Sequence, residues 1–299
     1  MDYVERHYLS EDGLKLYYRE YGSGDQVVLC LPGLTRNSRD FHDLALHLCS
    51  RYRVICPDFR GRGQSQRDPK WKNYNVVTYC HDVLRLTDAV NAERAIFIGT
   101  SLGGLVTMSL AYLAPGKIRA AVLNDVGPEL DPGGVARILA YAGRRTAVKN
   151  WKEAAEQART NYSVAFENMP DSFWEDYVRR SYRENEEGWP EPDVDPKVGD
   201  ALRAANRAAK VLKWFNAVGL FRTVRGVPVD VWESFRAVTM PCLVVRGATS
   251  DILSQPILEK MKAANPSLVT AIIPGRGHAP LLDEPESLAA IDRFLYSLD

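Results

Sequence analysis

Short apolar runs set between helical patterns constrain this chain more than any other feature. Val27-Val28-Leu29-Cys30-Leu31, Arg53-Val54-Ile55-Cys56, Ala95-Ile96-Phe97-Ile98 and Ala120-Ala121-Val122-Leu123 read as strands of a buried sheet. Helical patterns separate them, over about 39–49, 76–90 and 102–114. Residues 4–9 and 14–21 add a strand pair joined at Glu11-Asp12-Gly13. Such alternation predicts an α/β fold on a parallel, doubly wound sheet, because each crossover helix must cover one face of it.

The rhythm then stops. From Asp131 to Phe235 the pattern is helical, without a convincing buried strand, and five of the six tryptophans fall there. A Pro- and acid-rich connector, residues 184–195, divides this stretch in two. Alternation resumes with Cys242-Leu243-Val244-Val245, a helix near 256–264, Val269-Thr270-Ala271-Ile272-Ile273 and a last helix over 285–298. The organisation expected is a core domain of residues 1–130 and 238–299, interrupted by an all-helical cap at 131–237. A chain of 299 residues is long enough to bury both.

Charge narrows the partners. Lys+Arg and Asp+Glu both number 38, so nothing favours a nucleic-acid surface or an anionic membrane, and a small, largely uncharged substrate is expected. The uncharged stretch 95–116 has the length of a membrane span. Gly99, Gly103 and Gly104 interrupt it, so strand, turn and helix is the better reading. The start lacks an apolar h-region, and the odd set Cys30, Cys49, Cys56, Cys80 and Cys242 has no CxxC pair. A cytoplasmic protein without disulfides, zinc or other cofactor is expected, with homodimerisation left open.

Chemistry enters at Gly99-Thr100-Ser101-Leu102-Gly103, which follows an apolar strand and opens a helix. A serine hydroxyl is a poor nucleophile, so its geometry must be forced. A sharp strand-to-helix turn lifts Ser101 above the sheet, flanking glycines tolerate the crowding, and the helix start brings backbone N–H groups close. A base should follow the last strand, and His278 does, in Pro274-Gly275-Arg276-Gly277-His278-Ala279-Pro280. Two carboxylates could orient it. Asp251 follows strand 242–245 and Asp125 ends strand 120–123; both satisfy the order Ser, Asp, His. Asp251 is preferred because its loop should adjoin the histidine loop, leaving Asp125 to cap or tether the insertion. Two N–H groups must also meet developing negative charge, and Leu102 and Leu34, the latter in Leu31-Pro32-Gly33-Leu34, are the candidates for this oxyanion hole.

Taken together, the Pro-Gly loop, Asp58-Phe59-Arg60-Gly61-Arg62-Gly63-Gln64-Ser65, the serine turn, Asp251 and Gly277-His278 resemble the α/β-hydrolase superfamily in order and rough spacing. The resemblance covers 1–130 and 238–299. It implies an eight-stranded, mostly parallel sheet with the cap over the nucleophile, and a structural role for the Asp58–Ser65 block. Relatives with an aspartate nucleophile, the epoxide hydrolases and haloalkane dehalogenases, are disfavoured by Ser101. The leading expectation is hydrolysis of a carboxylic ester or lactone through an acyl-serine. Cleavage of a C–C bond beside a ketone and a receptor built on a hydrolase shell are the alternatives. Cap aromatics at helical spacing are expected to form the cap's own core first. Arg144, Arg145 and the acidic 184–195 run are expected to be solvated surface.

Overall fold

The computed structural model describes residues 2–144, 148–217, 223–228 and 230–299, with side chains except over 208–217. Arg145 and the side chain of Trp214 lie outside the described residues. Eight of the strands, β1 (Val4–Leu9), β2 (Lys15–Tyr21), β3 (Val27–Leu31), β4 (Arg53–Pro57), β5 (Ala95–Thr100), β6 (Ile118–Asn124), β11 (Cys242–Gly247) and β12 (Val269–Ile273), form one sheet. Its order is β1-β2-β4-β3-β5-β6-β11-β12. Only the pairs made by β2 are antiparallel; the other neighbours run parallel.

The apolar runs become strands because helices cover both sheet faces. On one side α2 (Val76–Ala89), α3 (Leu102–Leu113), α8 (Val231–Arg236) and α9 (Gln255–Ala264) bury Val83, Val106, Phe235 and Met261 with Leu29 and Phe97. On the other, α1 (His42–Leu48) and α10 (Pro285–Tyr296) bury Leu44 and Phe294 against Val28 and Val245. Burying a side chain of this size stabilises the fold by about 1.5–3 kcal/mol. Every residue of β3 and β11 is buried, which explains their lack of polar alternation.

Between β6 and β11 lie α4 (Pro132–Tyr141), α5 (Trp151–Tyr162), α6 (Asp171–Ser181) and α7 (Lys197–Ala217). This stretch departs from the all-helical cap expected from sequence. Two short antiparallel pairs break it: β7 (Tyr182–Glu184) with β8 (Pro190–Pro192), and β9 (Thr223–Val224) with β10 (Val227–Pro228). Strands of two or three residues carry no periodicity, so no pattern announces them. The 184–195 run also departs from a solvated surface. Glu186 and Glu187 are exposed, but Asp193 and Asp195 are buried. Asp193 accepts a hydrogen bond from Arg39 at 2.6 Å and Asp195 one from Tyr74 at 2.7 Å, so two of the acids tie the insertion to the core. Arg144 is exposed. Among the described residues no helix is long and apolar enough to cross a membrane.

Candidate active site

β5 ends at Thr100 and α3 begins at Leu102, so the chain reverses within a single residue. That residue, Ser101, has φ 51° and ψ −110°, a conformation L-residues rarely adopt. Crowding explains the flanking glycines. A Cβ on Gly99 would stand 2.5 Å from the Gly103 carbonyl carbon, and one on Gly103 would collide with the Leu31 carbonyl oxygen. The turn is held from the next strand, where Asn124 accepts the Ser101 N–H at 3.0 Å. The Asn124 amide donates to Thr100 at 3.0 Å and to the Pro280 carbonyl at 2.8 Å, joining the serine turn to the histidine loop.

Ser101 Oγ lies 2.9 Å from His278 Nε2, and His278 Nδ1 lies 2.8 Å from Asp125 Oδ2. Asp125 is fully buried, and two further donors hold it: Gly247 N–H at 2.8 Å and Ser250 Oγ at 2.6 Å. A carboxylate fixed in this way keeps the imidazole Nδ1 protonated and turns its Nε2 lone pair toward the serine.

The expected acid, Asp251, is elsewhere. Thr249 N–H donates to the Arg276 carbonyl at 3.0 Å, so its loop does adjoin the histidine loop. The Asp251 side chain, however, takes a two-pronged pair with Arg137 of α4, at 2.6 and 2.8 Å. Burial alone would raise its carboxyl, but Arg137 outweighs burial and holds it below the ordinary carboxylate range. The two aspartates have exchanged the tasks expected of them: Asp125 faces the histidine and Asp251 tethers the insertion. The reason is strand register. β6 and β11 are neighbours with Val245 opposite Asn124, so Asp125 emerges beside Gly247 and Ser250, whose donors hold it where His278 Nδ1 meets it.

The other expected residues fall close by. Leu102 opens α3, and Gly33 and Leu34 line the same cavity as Ser101 and His278. Among the described residues neither the Leu34 nor the Leu102 N–H has an intramolecular acceptor, as suits donors facing a bound oxyanion. The Asp58–Ser65 block supports this loop. Buried Arg62 donates through Nε to the Leu34 carbonyl at 2.9 Å and through Nη1 to Tyr79 at 2.8 Å. Asp58 accepts Ser38 N–H at 2.7 Å and Gln64 N–H at 2.8 Å, and its burial pushes the carboxyl up to about 6 despite them.

The cavity opens between core and insertion. Its insertion wall is made of Tyr141, Tyr162, Phe166 and Tyr177, with ring centroids of successive tyrosines 5.0 and 5.2 Å apart. Among the described residues no tryptophan lines it. Trp174 is buried inside the insertion's own aromatic cluster and Trp151 carries Arg179 over its ring at 3.8 Å. Arg36 and Asp40, which sequence reasoning missed, line the cavity beside Ser101. The one local signal for Arg36 is its place two residues beyond the candidate oxyanion residue Leu34.

Known proteins agree with this architecture. The family described as the alpha/beta hydrolase fold matches residues 26–285. A 3-hydroxybutyrate-oligomer hydrolase of Cupriavidus necator is 32% identical over 96% of this chain and 94% of its own length. A 2-(acetamidomethylene)succinate hydrolase of Mesorhizobium japonicum is 28% identical over 94% of this chain and 92% of its own. Among solved structures, an alpha/beta hydrolase from Novosphingobium aromaticivorans superposes with a TM-score of 0.85 at 40% identity, covering 99% of this chain and 98% of that one. A match over most of the chain, to relatives that are themselves hydrolases, makes this protein a hydrolase enzyme and a member of the α/β-hydrolase fold family.

Proposed function

We propose that the protein is a serine hydrolase that cleaves a carboxylic ester or lactone of a small substrate through an acyl-serine intermediate. The unbroken hydrogen-bonded line from Ser101 Oγ through His278 to Asp125 carries this reading. In the first half-reaction Ser101 Oγ attacks the carbonyl carbon while its proton passes to His278 Nε2. The Leu34 and Leu102 N–H groups receive the negative oxygen. The tetrahedral intermediate collapses as His278 returns the proton to the departing alkoxide, which leaves as an alcohol. Water then repeats the sequence on the acyl group, releasing the acid and free Ser101. The Asp125 carboxylate stabilises the imidazolium that forms twice in each cycle.

The relative named for 3-hydroxybutyrate oligomers supports an ester between small hydroxy acids as a first substrate to offer. A fluorophosphonate probe and p-nitrophenyl butyrate test the reaction class. The wild type should be labelled on one serine and should hydrolyse the ester. Ser101→Ala should abolish labelling and lower kcat by about 10⁶-fold, and His278→Ala by a similar factor, because the residues act as a unit. Labelling that survives Ser101→Ala would refute the assignment.

A further inference from the structure

Arg36 is a charged side chain in an apolar, tyrosine-rich cavity, and its neighbours leave one edge of it unused. The Arg36 guanidinium donates Nε and Nη2 to the two oxygens of Asp40, at 2.7 and 2.6 Å. Tyr177 covers its face with the ring centroid 4.1 Å away. Nη1 has no partner among the described residues. Burial works against its charge, but Asp40 outweighs burial, so the group remains a cation. Burial also pushes the phenols of Tyr141, Tyr162 and Tyr177 above their ordinary range, so all three remain neutral and keep a proton to donate.

Its position is as informative as its charge. A Cβ built on Gly33 would lie 3.4 Å from Arg36 Cγ and 4.0 Å from Ser101 Cβ, so the two side chains flank one point of the oxyanion loop. A second, more polar cavity shares Thr35, Arg36, Tyr141 and Tyr162 with the first and continues to Gln157 and Asn161. Arg36 therefore stands at the junction of the two cavities, within reach of a chain that extends from an acyl group on Ser101. Asp40 also faces this space, but both its oxygens are already taken by the guanidinium. A free guanidinium edge beside phenol donors suits an anionic acceptor better than a neutral chain.

We propose that the substrate carries a carboxylate on its non-reacting end, and that Arg36 Nη1 at the junction of the two cavities binds it. This inference deepens the ester-hydrolase reading and rests on it for the reacting end, though the carboxylate site can be tested by binding alone. Monoethyl glutarate and diethyl glutarate differ in one carboxylate. The wild type should favour the mono-ester in kcat/KM by about 10- to 100-fold, the range of one charge-assisted hydrogen bond. Arg36→Gln should bring that ratio close to one, chiefly through KM. Because the single change leaves Asp40 without its partner, Arg36→Gln/Asp40→Asn serves as a second variant and should show the same collapse of the ratio. Calorimetric titration with glutarate should show binding to the wild type, weakened by a similar factor in both variants. No wild-type preference, or a ratio unchanged in the double variant, would overturn the proposal. If the fluorophosphonate left Ser101 unlabelled while Arg36-dependent glutarate binding remained, the hydrolase reading would fall and the carboxylate site would stand. Absence of glutarate binding would overturn the site itself.

Discussion

The carboxyl ends of β6 and β11 lie side by side, and each delivers an aspartate toward the histidine loop. Asp125 follows its strand at once, is fully buried, and accepts from Gly247, Ser250 and His278. Asp251 stands four residues beyond its strand, on a half-exposed loop, paired with Arg137 of the insertion. The same side chain thus does two different jobs, decided by which donors its surroundings supply. A carboxylate with fixed donors and no solvent can hold an imidazole in one tautomer; one bound to a guanidinium from a neighbouring element fastens that element in place. Packing reinforces the second task, since a Cβ on Gly134 of α4 would collide with the Asp251 carbonyl oxygen.

The comparison breaks most readily at Asp125. Asp125→Asn should lower kcat for p-nitrophenyl butyrate by about 10⁴-fold, because the amide presents a donor where His278 needs an acceptor. Circular dichroism should show the fold retained. Next in size, Ser250→Ala removes one of the donors that aim Asp125 Oδ2, and steady-state kinetics should show a drop of about tenfold. Asp251→Asn should change kcat by no more than about threefold. Its cost belongs to stability, about 1–3 kcal/mol in urea denaturation, since it weakens the partner of a part-buried arginine.

The smallest effect sharpens the contrast through pH. Arg137 holds the Asp251 carboxyl below its ordinary value, so the folded chain binds fewer protons there than the unfolded one. Its stabilisation is complete above about pH 4, the unfolded value, and is lost as pH falls through the lower folded value. Urea midpoints of wild type and Asp251→Asn should therefore differ at pH 7 and converge below about pH 4.

Local patterns made much of this legible in the sequence. The buried strands are continuous apolar runs, Ser101 sits between glycines at a strand-to-helix junction, and His278 follows the last strand. Each of these signals lies within a few consecutive residues. The choice between Asp125 and Asp251 does not, since both follow a strand and both precede the histidine. What decides it is the pairing of Val245 with Asn124 and the arrival of Arg137 from α4, and no spacing encodes either. The cavity wall was hidden for the same reason. Tryptophans mark the insertion in the sequence, yet Trp174 fills its interior while Tyr141, Tyr162 and Tyr177 turn toward Ser101. Buried acids escaped notice inside a charged run, where Asp193 and Asp195 look like Glu186 and Glu187 until Arg39 and Tyr74 come up against them.

That Asp125 alone orients the His278 imidazole is tested most directly by the low-field proton resonance of His278 Nδ1–H, recorded cold to slow exchange. The resonance should be present in the wild type and in Asp251→Asn, and absent from Asp125→Asn. Its survival in Asp125→Asn together with its loss from Asp251→Asn would contradict the assignment and return Asp251 to the relay.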